Sequence, residues 1–259
     1  MSVYSEYKAS LQNPNSSWTI LFGLVEEGAT VLDVGCSAGY FSRLLIEDKQ
    51  CVVDGIEVDE ADATLASGVG CRRVLVGNVE TMDLGTELVE PGYDFIVFAD
   101  VLEHLVHPAG VLKRVALFLK PGGRILFSIP NMANASIRLQ LLQGNFDYED
   151  EGLLDRTHLR FYTLRTIREM IDASGLQLYS MQGTTLNVTD DIVDQVLDRV
   201  GLASTPEFRD FLCGEEALVY QYIGAIGPPD GKPASKNTLA GVEAIKPLLC
   251  YQQQLAEVQ

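Results

Sequence analysis

Between residue 31 and about residue 175, short continuous apolar runs alternate with stretches in which apolar side chains return every three or four positions. A strand covered on both faces reads as an unbroken apolar run, and a helix lying on a sheet reads as a one-sided stripe. Their alternation predicts a mostly parallel, doubly wound α/β sheet with helices on both faces. Strands are expected near 30–34, 51–57, 72–76, 94–99 and 123–129, with helices over about 40–48, 60–67 and 108–119. Pro108 suits a first helical turn, and Lys120-Pro121-Gly122-Gly123 stops that helix before the fifth strand. A further helix over 164–174 ends at Gly175.

Leu176–Leu186 and Ala217–Ile226 read as two more strands, which makes seven. No crossover joins them that would keep them parallel, so an antiparallel pair is expected at one sheet edge. An acidic, helix-prone insert lies between them, from about Asp190 to Cys213. The one long stretch without strand character runs from about 130 to 162 and leaves the carboxyl end of the fifth strand. Ligands of open α/β sheets bind at that edge, so this segment is expected to act as a substrate lid. Residues 1–227 thus read as one domain, 228–240 as a linker and 241–259 as a C-terminal helical segment.

Charge narrows the partners. Thirty-six acidic against 19 basic residues leave a net charge of −17, which opposes binding to a nucleic-acid backbone. No apolar run is long enough for a membrane span, and Met-Ser-Val-Tyr-Ser-Glu-Tyr-Lys shows no basic-then-apolar leader pattern. Five scattered cysteines without a C-x-x-C pair argue against a disulfide framework or a cysteine zinc site. A cytoplasmic location is expected, and a homo-oligomer is compatible with the sequence.

The chemistry begins at Val31-Leu32-Asp33-Val34-Gly35-Cys36-Ser37-Ala38-Gly39. A buried strand ends in a glycine-bearing turn that opens a helix at about Tyr40, which places backbone N–H groups at a helix N-terminus against a ligand. A dinucleotide fingerprint needs G-x-G-x-x-G, but Ser37 and Tyr40 stand at its second and third glycine positions. That disfavours an NAD-linked oxidoreductase, and no G-x-x-x-x-G-K-[ST] phosphate loop is present. The Asp-x-Gly-x-x-x-Gly turn instead suits a nucleoside with an amino-acid end.

This run resembles motif I of the class I S-adenosylmethionine-dependent methyltransferases. Other segments resemble that family's motifs in order: Gly55-Ile56-Glu57-Val58-Asp59, Gly77-Asn78-Val79, Tyr93 to His104, and Leu119-Lys120-Pro121-Gly122-Gly123-Arg124. The resemblance implies a Rossmann-like seven-stranded fold with S-adenosyl-L-methionine as cofactor. It places Asp33, Gly35, Ser37, Gly39, Glu57, Val58, Asn78, Val79 and Asp100 around that cofactor. Glu57 would accept bonds from the ribose hydroxyls. Asn78 stands where the family usually has Asp near the adenine, and its carbonyl is able to accept the same bond. Asp33 as a helix cap, Asn78 as a turn residue and Val58 and Val79 as core remain open readings.

Methyl transfer to a hydroxyl gains from a general base. Of the three histidines, His104 and His158 are the candidate catalytic residues, and His107 beside Pro108 reads as a helix-start surface residue. If 100–104 is helical, Asp100, Glu103 and His104 share a face. That spacing is similar to the divalent-metal site of ubiquinone-pathway and small-RNA 2′-O-methyltransferases, and His158 would complete the set. A metal-free base and a purely structural role stay open beside that reading. The lid resembles a bacterial subgroup tied to polysaccharide and small-metabolite modification. Arg138, Tyr148, Asp155, Arg156 and Arg160 are its candidate substrate-binding residues, with a salt-bridge network pinning the lid as the alternative. The resulting expectation is O-methylation of a sugar or other small molecule. N- or C-methylation and a non-catalytic cofactor-binding partner are the alternatives.

Overall fold

Five short apolar runs, each followed by a helix or turn, build one side of the sheet. In the computed structural model, which describes residues 11–88 and 92–229, these strands are β1 (Thr30–Val34), β2 (Val52–Glu57), β3 (Arg73–Val76), β4 (Tyr93–Ala99) and β5 (Leu119–Pro130). The helices among them are α1 (Ser17–Leu24), α2 (Tyr40–Lys49), α3 (Glu60–Gly68), the short α4 (Leu84–Glu87) and α5 (Pro108–Val115). Beyond β5 follow α6 (Ala135–Leu142), α7 (Leu164–Ser174), β6 (Gln177–Thr185), α8 (Asp190–Arg199), α9 (Pro206–Cys213), α10 (Glu215–Leu218) and β7 (Val219–Gly227).

The strand order is β3-β2-β1-β4-β5-β7-β6. All neighbours from β3 to β5 are parallel, while β7 runs antiparallel to both β5 and β6. The antiparallel pairing expected at the edge is therefore present, with β7 slotted between β5 and the edge strand β6. Alternate residues face opposite helical layers, as the two-residue strand period requires. Leu32, Ile96, Ile125 and Phe127 pack in the core that includes Leu112 of α5 and Ile167 of α7. Val31, Val53, Val97 and Leu126 pack in the core that includes Leu21 of α1 and Leu45 of α2. Gly224 is required by this packing, because a Cβ there would lie 2.4 Å from Phe127 Cζ.

Caps mark the helices that the sequence locates well. Asp59 accepts from the backbone N–H groups of Ala61 and Asp62 at the start of α3. Thr163 and Thr166 form a capping box on α7, and Gly175 closes it at φ 74°. The expected helix over 108–119 is α5 followed by one 3₁₀ turn at 116–118, and β5 begins at Leu119, earlier than expected. Four helices depart from expectation. α1 precedes the first strand, the short α4 lies between β3 and β4, α6 stands inside the segment read as irregular, and α10 takes Ala217 and Leu218, where the last strand is expected to begin.

The insert between β6 and β7 holds α8, α9 and α10. Its ends meet: Thr185 and Val219 are register partners, and Leu186 N–H donates to Leu218 O at 2.9 Å. α8 and α9 bury Val193, Leu197 and Leu212 together with Leu139 of α6. Two buried amides hold the return into β7. Asn131 Nδ2 donates to the carbonyls of Glu216 and Val219, and Asn134 Nδ2 to those of Ala217 and Val219. Among the described residues no helix is long and apolar enough to cross a membrane. The expected linker beyond 229 and the segment 241–259 lie outside the described residues.

Candidate active site

The loop from β1 to α2 needs left-handed backbone at Gly35, Ser37 and Gly39, with φ of 71°, 47° and 79°. At both glycines space is also missing. A Cβ at Gly35 would lie 2.7 Å from Val101 Cγ2, and one at Gly39 would lie 2.9 Å from Ala66 Cα of α3. The turn is thereby drawn tight between β4's exit and α3. Glu57, at the end of β2, locks the same loop from the side. Its Oε2 accepts from Ser37 N–H at 2.7 Å, and its Oε1 accepts from Val58 and Asp59 N–H at 2.8 and 3.0 Å. A carboxylate has roughly four acceptor sites, so one on Oε2 stays open to a ligand hydroxyl.

Asp33 lies deeper, and its Oδ2 accepts from Ser42 Oγ of α2 at 2.6 Å. Burial pushes its pKa up to about 7, with the charge of Glu57 adding to the rise. Val58 stands 68% exposed beside Glu57, an apolar face at the mouth of the loop, while Val79 is buried. Asn78 is exposed, and its Oδ1 accepts from Glu80 N–H at 2.8 Å, an Asx turn that fixes the loop after β3. Tight backbone, an anchored carboxylate and an apolar edge together fit a nucleoside with an aminoacyl end.

After β4 the structure departs from the helical spacing. Asp100 takes φ 56° and stays outside the single 3₁₀ turn Leu102–His104, so it does not share a helical face with Glu103 and His104. Polar partners explain the departure. Asp100 N–H donates to Ser128 Oγ, and Asp100 Oδ1 accepts from Ser128 Oγ at 2.7 Å and from Gln221 Nε2 at 2.9 Å. Burial raises the Asp100 carboxyl's pKa. Ser128 and Gln221 were not among the sequence-derived candidates. Ser128 had a signal, a lone polar residue in the apolar run Ile125–Ile129; Gln221 had none.

The lid returns over the 3₁₀ turn, where Leu159 and Arg160 N–H both donate to Glu103 O. This brings His158 to His104, with ring centroids 4.9 Å apart. Glu103 sits beneath them only 1% exposed, with neither carboxylate oxygen hydrogen-bonded. His158 Nε2 lies 3.9 Å from Glu103 Oε1. Burial, helped by the charge on Asp100, drives the Glu103 carboxyl well above its ordinary range. Burial and then the neighbouring His104 lower the pKa of His158. His104 Nδ1 is paired with Thr157 O at 3.1 Å, and Asp155 accepts from Thr157 N–H and Oγ. One ligand atom from each of Glu103, His104 and His158 falls within 4.8 Å of the others.

The other lid candidates face elsewhere. Arg138 donates to Ala133 O and Phe211 O and lies over the Phe211 ring. Arg160 donates to the carbonyls of Leu105 and Val106. Arg156 pairs with Asp150 at 2.7 Å. Tyr148 packs edge-on against Phe146, which in turn meets Phe161. The guanidinium forks are thus occupied in holding the lid and insert together.

A family model described as a methyltransferase domain matches residues 8–181. A ubiquinone biosynthesis O-methyltransferase from Burkholderia thailandensis is 31% identical over 166 residues, spanning 61% of this chain and 68% of that protein. Among solved structures, an S-adenosylmethionine-dependent methyltransferase from Archaeoglobus fulgidus aligns with a TM-score of 0.55 at 15% identity, over 86% of this chain and 96% of the other. The [4+2]-cyclase SpnF aligns with a TM-score of 0.54 at 14% identity, over 86% of each chain. These two likenesses concern the fold, and the cyclase shows that the fold alone does not name a reaction.

Proposed function

This chain belongs to the methyltransferase-domain family and uses S-adenosylmethionine, and from that premise we propose that it methylates a hydroxyl of a sugar or other small molecule. The observation that carries the reading is the placement of His158, 4.9 Å from the His104 ring and with its Nε2 3.9 Å from Glu103 of the 3₁₀ turn; burial and then His104 lower its pKa, which favours the neutral imidazole. A neutral imidazole at that place accepts the proton that a hydroxyl loses as it attacks. When bound, S-adenosylmethionine would supply an electrophilic methyl carbon and a thioether leaving group, and His158 would hold the proton that the acceptor hydroxyl gives up.

The chain's remaining work is placement and exclusion of water. Glu57 takes the ribose, Gly35, Ser37 and Gly39 cradle the aminoacyl end, and Val58, Asn78 and Val79 border the adenine. Asp33 and Asp100 support that cradle from below, through Ser42 and Ser128 respectively. His104, held by Thr157, orients His158. We assign Arg138, Asp155, Arg156 and Arg160 to pinning the lid, and Tyr148 to the acceptor's side of it.

A second reading is favoured by the clustering of Glu103, His104 and His158 within 4.8 Å. A divalent ion held by that carboxylate and the two imidazoles would polarise the acceptor oxygen in place of a free base. Asp100 stands apart from that set, its Oδ1 already engaged by Ser128 and Gln221.

The test is methyl transfer from radiolabelled S-adenosylmethionine to a panel of hydroxylated small molecules. His158→Ala is expected to lower kcat by roughly 10²–10⁴-fold while S-adenosylhomocysteine binds with unchanged affinity by calorimetry. Unchanged turnover in that variant would remove the base role. Loss of turnover on chelation, restored by added Mg²⁺ or Zn²⁺, would decide for the ion.

A further inference from the structure

A cavity opens at the carboxyl edge of the sheet, beside the lid, whose Ile137, Leu153 and Leu154 pack against Tyr220. It measures about 280 Å³ and is lined by Asn13, Asn15, Ser16, Thr184, Thr185 and Gln221, with Leu186 and Tyr220 as walls. Gln221 is the register partner of Pro130, at the carboxyl end of β5, so the cavity lies along the edge from which β1, β2 and β4 present their loops.

The cavity is built by specific bonds. Asn15 pairs with the end of β6 as a strand residue would: its Nδ2 donates to Thr185 O, and its Oδ1 accepts from Thr185 N–H, both at 2.8 Å. Asn13 Oδ1 in turn accepts from Asn15 N–H at 2.9 Å. The far wall is tied to the reacting end of the site, because Gln221 Nε2 donates to Asp100 Oδ1, and Asp100 opens the segment that carries His104. The Gln221 backbone N–H donates to Thr184 Oγ1. The Ser16 hydroxyl has no hydrogen-bond partner among the described residues.

The chemistry of this lining selects a ligand class. Among the described residues every polar side chain in it is an uncharged amide or hydroxyl, and no lysine, arginine, aspartate or glutamate lines it. Such groups both donate and accept, as the hydroxyls of a sugar do, whereas a carboxylate or phosphate calls for a guanidinium fork. The lid's guanidinium groups are already spent on carbonyls and on Asp150. The volume is near the lower bound of about 300 Å³ for small-molecule sites, the scale of a single ring. A neighbouring cavity of about 190 Å³ shares Leu186 and Tyr220 and adds Ser136, Gln140 and Glu149, which gives room for a further unit.

We propose that this cavity, formed by the N-terminal segment and the β6–β7 edge, is the acceptor subsite and holds a neutral sugar ring. The proposal rests on the methyl-transfer reading above and moves acceptor recognition from the lid to residues 13–17, 184–185 and 221.

The experiment uses the whole chain saturated with S-adenosylhomocysteine and reads ligand-observed saturation-transfer NMR. The probes are the methyl glycosides of glucose, galactose, mannose and rhamnose, with glucuronic acid and catechol for comparison. At least one neutral glycoside is expected to show saturation of its ring protons. Ser16→Phe, which fills the cavity, is expected to cut that signal tenfold or more, and Thr185→Val severalfold. Both variants should bind S-adenosylhomocysteine within twofold of wild type, which reports that they fold. The proposal is overturned if no neutral glycoside binds while the cofactor product does. It also falls if Ser16→Phe binds both as wild type does, or if only glucuronic acid or catechol gives a signal. A glycoside that binds in the cavity and is never methylated, while another hydroxylated compound is, overturns the acceptor assignment; methylation of no hydroxylated compound removes the O-methyl reading, so the two failures are distinct.

Discussion

Replacing Asp33 by Asn should make the protein more stable, and more so at high pH. Asp33 is 2% exposed, and burial raises its pKa from 3.8 to about 7. A raised carboxylate pKa means that the folded state holds a proton that the unfolded chain gives up. Stability is therefore lost as pH rises from about 4 to about 7, and the loss levels off above that. Each pKa unit corresponds to roughly 1.4 kcal/mol. Linkage over this interval gives a cost of about 2 kcal/mol at pH 5 and about 4 kcal/mol at pH 8, as order-of-magnitude values. Asn keeps the oxygen that accepts from Ser42 Oγ but carries no charge, so Asp33→Asn removes the whole dependence. Urea unfolding of both proteins at pH 5, 6, 7 and 8 measures it. The variant-minus-wild-type difference should be positive and grow by about 2 kcal/mol across the series. A difference that is flat with pH, or that shrinks, would refute the assignment of a buried, uncompensated charge to Asp33.

Gly35→Ala forces a side chain into left-handed backbone and against Val101; a stability loss of roughly 1–2 kcal/mol is expected, with at least tenfold weaker S-adenosylhomocysteine binding by calorimetry. Asp54 is fully buried within β2 and accepts from Arg72, Tyr93 and Arg73; these bonds outweigh the opposing effect of burial and lower its pKa. Asp54→Ala should cost about 3 kcal/mol by urea unfolding, near the lower end for a buried pair because Arg72 reaches water. Arg138→Met removes two bonds from a charged donor to carbonyls; it should speed proteolytic cleavage within the 186–218 insert while leaving S-adenosylhomocysteine affinity unchanged.

Legibility in the sequence followed the range of the interactions. Strands β1 to β4 are legible to within a residue because each carries a short apolar run between turn signals, largely buried in β1, β2 and β4 and only half-buried in the edge strand β3. α7 was bounded to the residue because Thr163 and Gly175 cap it locally. α1 was not seen: Ser-Trp-Thr-Ile-Leu-Phe-Gly-Leu is apolar almost all round and shows no polar stripe. α6 was hidden for a related reason, since only the Asn134 cap marks it. At the site, the β1 loop and Glu57 are local motifs and could be read. The Gln221–Asp100 bond spans 121 positions and could not. The arginines of the lid were visible as charges, but which carbonyls stand opposite them is a matter of tertiary packing alone. The spacing of Asp100, Glu103 and His104 suggested a helix that Ser128 and Gln221 pre-empt.

The adjacency of Thr185 and Val219 has a consequence for the length of the insert. A segment whose two ends are already hydrogen-bonded neighbours adds little closure entropy when it lengthens, since each doubling costs only about 0.6 kcal/mol. The buried amides of Asn131 and Asn134 hold the returning strand at Val219 O and the last turn of the insert at Glu216 O and Ala217 O. Change within residues 186–213 is therefore expected to leave the register of β6 and β7 in place, provided the contacts with Leu139 and Arg138 are kept. A chain built this way tolerates lengthening of that one excursion at little closure cost, while the strands on either side of it keep their register.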